Sequence, residues 1–135
     1  MLDRNGASMG AAITFSSDLG GVDADGGTLY VGTGDLNAPS DRARFDVLPL
    51  DSASWVVGEP IALGRASWFD AQDGTGWAAY PQTDEVRRID LGTRAPSGDP
   101  ITSVGASVGA MQVVGEELWV TNTQDSTVTR VYLEP

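Results

Sequence analysis

The stretch Leu118-Trp119-Val120-Thr121-Asn122-Thr123-Gln124-Asp125-Ser126-Thr127-Val128-Thr129-Arg130-Val131 holds two short runs of β-branched and aromatic residues around a small polar break. Such runs read as two strands and the turn between them. The aromatic-centred run recurs upstream as Leu29-Tyr30-Val31 and Gly76-Trp77-Ala78, giving successive spacings of 47 and 42 residues. A second column aligns Phe45-Asp46-Val47-Leu48, Val86-Arg87-Arg88-Ile89 and Val128-Thr129-Arg130-Val131, spaced by 41 and 42. A third sets Gly58-Glu59-Pro60-Ile61-Ala62-Leu63-Gly64 against Gly98-Asp99-Pro100-Ile101-Thr102-Ser103-Val104-Gly105. Three columns sharing one period of about 42 residues define an internal repeat.

Asp25-Gly26-Gly27, Asp73-Gly74 and Gly115-Glu116 stand at the same place before each aromatic run, where glycine admits the positive φ of a tight hairpin. The 17 glycines and 7 prolines cut the chain into apolar runs too short for globular helices. Strands are expected near 22–24, 29–33, 44–50 and 57–63, then 67–71, 76–80, 85–91 and 99–104, then 110–114, 118–122 and 127–133. Ala11-Ala12-Ile13-Thr14-Phe15 reads as one more strand at 11–15. The expected units span 22–63, 67–104 and 110–133 within a single domain, 1–135. Four short strands per repeat of this length predict an all-β, β-propeller-type array of about three four-stranded blades.

The last repeat resembles that of the YVTN family of β-propellers, a pattern shared with NHL-like and streptogramin-lyase-like propellers, through Leu118-Trp119-Val120-Thr121-Asn122 and the strand ending at Val131. The second unit keeps Asp84-Glu85-Val86-Arg87-Arg88-Ile89-Asp90 but has Trp77-Ala78-Ala79-Tyr80 in the aromatic strand, and the first keeps Leu29-Tyr30-Val31. The resemblance therefore covers roughly the last 40 residues and implies a propeller fold. Repeats specify a fold and not an activity. Streptogramin-lyase-like relatives would be expected to depend on a histidine and a magnesium ion, and this chain has no histidine, so that activity does not carry over.

Closed propellers have about four to eight blades. Three blades predict either part of a longer propeller or a half-ring that self-associates, two copies making six. The strand at 11–15 is expected to complete the three-stranded last unit of its own chain or of a partner.

The 135 residues carry 19 acidic side chains against 8 arginines, a net charge of -11 that repels phosphate backbones and anionic lipid. Nucleic acid and membrane are not expected partners. Met1-Leu2-Asp3-Arg4-Asn5-Gly6 does not open like a signal peptide, and no apolar run approaches the length of a membrane helix. The compartment stays open. Without cysteine or histidine there is no disulfide, no thiolate site and no Ser-His or Cys-His pair.

Aligning the innermost strands puts Asp23, Asp70 and Gln112 in one column and Gly21, Trp68 and Ala110 in another. The polar column is a candidate site for a cation or polar ligand at a channel, with Trp68 as a stacking platform for a sugar or other flat group. The alternative is that these residues solvate a channel mouth and Trp68 packs between blades. Asp23-Ala24-Asp25-Gly26-Gly27 starts like a Ca²⁺ loop but runs straight into Thr28-Leu29-Tyr30-Val31, as an Asp-Gly hairpin would. Otherwise no cofactor is expected, and the metal question stays open.

The excursion from Thr33 to Arg44 adds six residues relative to its counterparts, and Asp35, Asn37, Asp41, Arg42 and Arg44 are candidates for recognising a partner. A tolerated surface insertion is the competing account. Asp23 and Asp70 are also the carboxylate pair to consider for glycoside hydrolysis. The residue inventory favours a non-enzymatic binding or interaction scaffold for a protein or small polar ligand. A carboxylate-dependent hydrolase or lyase at the channel mouth is the second reading, and a propeller fragment without independent activity the third.

Overall fold

A computed structural model describes residues 13–15, 18–34, 44–102 and 104–133. Among them are eleven strands and no helix. Three antiparallel sheets follow one another along the chain. The first holds β1 (Asp18–Asp25), β2 (Thr28–Gly34), β3 (Phe45–Asp51) and β4 (Ile61–Ala62) in sequential order. The second holds β5 (Trp68–Gln72), β6 (Thr75–Tyr80), β7 (Glu85–Asp90) and β8 (Ala95–Pro96). The third holds β9 (Val108–Val114), β10 (Glu117–Asn122) and β11 (Thr127–Tyr132).

The first hairpin of each sheet is closed by two residues, and Gly26, Asp73 and Gly115 all take the left-handed conformation there, with φ of 59°, 52° and 62°. Short hairpins fix register. Asp23 consequently faces Tyr30, Asp70 faces Trp77 and Gln112 faces Trp119, so the expected columns coincide in the ladders.

Beyond the second strand the alignment needs a correction. Tyr30 pairs with Pro49, Trp77 with Arg88 and Trp119 with Arg130, which matches Val47, not Phe45, to Val86. The long β2–β3 connection hid this offset, because a shift of two residues leaves the inside-outside alternation unchanged.

The fourth strands are shorter than the expected 57–63 and 99–104. In the first sheet Val57 bridges Leu50 and Ile61 pairs with Val47, while Glu59 and Pro60 leave the ladder. In the second, Pro96 pairs with Ile89 and Ile101 bridges Val86, with Gly98, Asp99 and Pro100 between them. Proline has no N–H to give a ladder, so the shared Gly-acid-Pro motif marks a break in the outer strand.

The expected strand at 11–15 lies partly outside the described residues. Ile13, Thr14 and Phe15 belong to no strand, while Ala11 and Ala12 lie outside the described residues. Among the described residues the third sheet therefore has three strands.

Two apolar layers hold the sheets together. Phe45, Val47 and Ile61 of the first sheet, with Leu63 just after it, pack on Ala78 and Ile89 of the second. Trp77, Ala79 and Val86, on the opposite face of the second sheet, pack on Met111, Val113, Leu118 and Val120 of the third. The first strands of the three sheets run side by side, β1 against β5 and β5 against β9.

Candidate functional site

The first strands of the three sheets bring Asp23, Asp70 and Gln112 into a chain of hydrogen bonds. The Ala71 N–H donates to Asp23 Oδ2 at 2.6 Å, and the Val113 N–H donates to Asp70 Oδ2 at 2.7 Å. Each aspartate thus accepts from the residue that follows its counterpart in the next sheet. Gln112 Nε2 contacts Asp70 Oδ2 at 3.5 Å and donates to the Val113 carbonyl at 3.3 Å. Asp25 uses the same device one turn further on, accepting the Asp73 and Gly74 N–H groups at 2.9 and 2.7 Å.

The two carboxyl groups at the centre are unequal. Burial, then the hydrogen bond and negative charge of Asp23, push Asp70 up to about 7 against backbone donation from Val113 and Ala71. Burial also opposes ionisation of Asp23, but hydrogen bonds from Asp70, Ala71 and Ala24 outweigh it and hold Asp23 below the ordinary value. Of the pair, Asp70 is therefore the group that takes up a proton first as pH falls.

Trp68 is 42% exposed. It stands on the wall of a cleft of about 560 Å³ between the first two sheets, which Asp23 also lines. Leu19, Val22, Phe45 and Phe69 supply much of the apolar wall, and Arg44, Arg65 and Gln82 its polar groups. Tyr30 and Phe69 pack tilted, with ring centroids 5.8 Å apart. Arg65 Nη1 donates to Gln82 Oε1 at 2.7 Å.

The predicted column is thus divided: Asp23 and Trp68 share the cleft, while Asp70 is only 4% exposed and neither it nor Gln112 lines it. Sequence reasoning missed Arg65, Phe69 and Gln82, which carry no motif and meet the cleft only through the stacking of two sheets. Arg44 was singled out with the inserted segment, and it reaches the same cleft. Asp35, Asn37, Asp41 and Arg42 lie outside the described residues.

The calcium-like segment directs its carboxylates elsewhere, since Asp23 and Asp25 both accept backbone N–H groups of the second sheet. Among the described residues no cluster of three or more acidic, histidine or cysteine side chains forms a metal-ligand set. Arg87 is anchored on its own strand, donating from Nε to Glu85 Oε1 at 2.7 Å with its guanidinium 4.3 Å from the Tyr80 ring centre.

No protein-family model matches the chain, and no curated protein shows significant similarity to it.

Proposed function

We propose that the chain is a non-enzymatic binding scaffold built from propeller-type, YVTN-like repeats, and that it takes a small ligand in the cleft between its first two sheets. The observation that carries this reading is the exposed Trp68, which together with Asp23 lines a mainly apolar recess of about 560 Å³. Small-molecule sites are typically concave and apolar with a few oriented polar groups. The ligand class that suits this wall is a sugar or other flat ring, with one face on Trp68 and polar edges toward Asp23 and Arg44.

Tryptophan fluorescence and calorimetric titration with a panel of mono- and disaccharides and flat aromatic compounds test the proposal. A binder is expected whose affinity falls at least about tenfold, some 1.4 kcal/mol, in Trp68→Ala. A panel with no binder, or a binder indifferent to both Trp68→Ala and Asp23→Asn, overturns it.

A carboxylate-dependent hydrolase is the second reading, favoured by the unequal Asp23–Asp70 pair, since carboxyls with separated pKa values suit acid and base roles. Against it, both groups already accept backbone N–H groups and hydrogen-bond to one another, whereas glycosidase carboxyls stand about 5 to 9.5 Å apart around the scissile bond. Turnover of a glycan or lactone panel that vanishes in folded Asp23→Asn and Asp70→Asn variants would decide for the hydrolase.

A further inference from the structure

The second sheet shows what a repeat in this protein looks like when both faces are covered. Toward the third sheet it presents Trp77, Ala79 and Val86, which are 7%, 0% and 0% exposed. Toward the first it presents Ala78 and Ile89, 0% and 4% exposed. Among the described residues each flanking sheet repeats one of these faces, exposed across the third sheet and exposed only along β1 in the first. On the third sheet the positions of Trp77 and Val86 are taken by Trp119 and Val128, which are 39% and 61% exposed beside Val114 and Tyr132. On the first sheet the positions of Phe69 and Ala71 are taken by Val22, 67% exposed, and by Ala24, also exposed. Val31 and Leu50 of that face are already buried, so its open part is the first strand, β1.

The polar chain along the first strands of the sheets is open at the same two ends. Asp23 accepts from Ala71 and Asp70 from Val113, so the next acceptor in the series is the Gln112 side-chain oxygen. The hydrogen bonds found for Gln112 among the described residues are made by its Nε2. The donor equivalent to the Ala71 and Val113 N–H groups is Ala24 N–H, on the exposed edge strand of the first sheet. Ala24 N–H reaches its neighbour Asp23, just as Ala71 N–H reaches Asp70 besides Asp23.

We propose that two copies of this chain close head to tail, the outer face of each third sheet covering the β1 side of the other copy's first sheet. Val128 and Trp119 of one copy then lie over Val22 and Ala24 of the next, and Gln112 Oε1 accepts Ala24 N–H. The step from the third sheet of one copy to the first sheet of the next repeats the step that stacks the sheets within a chain, and three such steps relate the two copies. Such a heterologous contact closes only when its rotation completes a ring. Six is the sole multiple of three among the about four to eight blades of closed propellers, which sets the number at two copies. This count rests on the propeller-type reading, while the faces themselves do not depend on a ligand in the cleft.

Light scattering after size-exclusion chromatography tests the closure. The wild-type chain is expected at twice its 14.1 kDa mass, and Val128→Asp and Ala24→Arg at or near the single mass. Both substituted positions are exposed, so far-UV circular dichroism and thermal unfolding should report folded variants. Mixing the two variants should restore a one-to-one dimer, because each retains the face the other has lost. A wild-type monomer at tens of micromolar, a dimer that survives either substitution, or folded variants that fail to pair on mixing each overturn the proposal. Ala24 does not line the cleft, so ligand binding by the Ala24→Arg monomer would leave the cleft standing even if closure failed.

Discussion

Asp70 holds its proton more tightly in the folded chain than in the unfolded one, and this gives the protein a pH dependence that can be assigned to one side chain. Its contribution is complete below the ordinary carboxylate value of 3.8 and is lost as pH rises through about 7, at no more than about 1.4 kcal/mol per pH unit. Asp23, held below its ordinary value, acts the other way and loses its contribution only as pH falls through that lower value. Asp70→Asn keeps a donor for Asp23 and an acceptor for Val113 N–H but has no proton to lose. Urea unfolding at several pH values should show the variant gaining on wild type from pH 4 to 7.5; parallel curves would place the titration elsewhere. Asp23→Ala removes the 2.6 Å acceptor of Ala71 N–H, leaving that group Asp70 alone, and should cost about 1 kcal/mol at neutral pH in the same assay.

The repeat is also written into its turns. Asp51 Oδ1 accepts the Ala53 and Ser54 N–H groups, and Asp90 Oδ1 accepts those of Gly92 and Thr93. Each turn ends in a left-handed residue, Trp55 at 62° and Arg94 at 61°. The second strands add a packing rule, for a Phe ring lies over a backbone position that has no Cβ. A Cβ on Gly76 would stand 2.6 Å from the Phe69 ring, and one on Gly32 would stand 2.7 Å from Phe45. Gly76→Ala should therefore destabilise by about 1–3 kcal/mol through overpacking. Gly21→Ala, with nothing within 4 Å of the new Cβ, should be neutral or slightly stabilising by about 0.4–1 kcal/mol. Equal midpoints in chemical denaturation for these two variants would remove the packing account.

Over the whole chain, a net charge of -11 makes the folded state work against its own field. Screening relieves this repulsion more in the compact state than in the expanded one. The melting temperature should rise by a few degrees between about 20 and about 300 mM sodium chloride, a scale of about 4–8 °C for each 1 kcal/mol gained in a small domain. A melting temperature that falls over this range would mean that attractive ion pairs outweigh the net field, although Glu117–Arg130 spans 3.7 Å with the arginine side chain 57% exposed.

The amino-acid sequence by itself determined the strands, the repeat and the pairing of Asp23, Asp70 and Gln112 with their aromatic neighbours, because alternation and two-residue hairpins are local and fix register without distant contacts. The same locality explains where it failed. Pro60 and Pro100 carried the signal for broken outer strands, yet the two-residue offset at Phe45 was hidden behind a long connection that preserves alternation. Only the tertiary structure decided that Asp70 is buried next to Asp23 and pushed up to about 7, and that Asp23 and Trp68 share a cleft with Arg44 and Arg65. These groups come from different sheets and from the segments between them. Their spacing, burial and charge depend on how one sheet stacks on the next, a relation that no local pattern of residues contains.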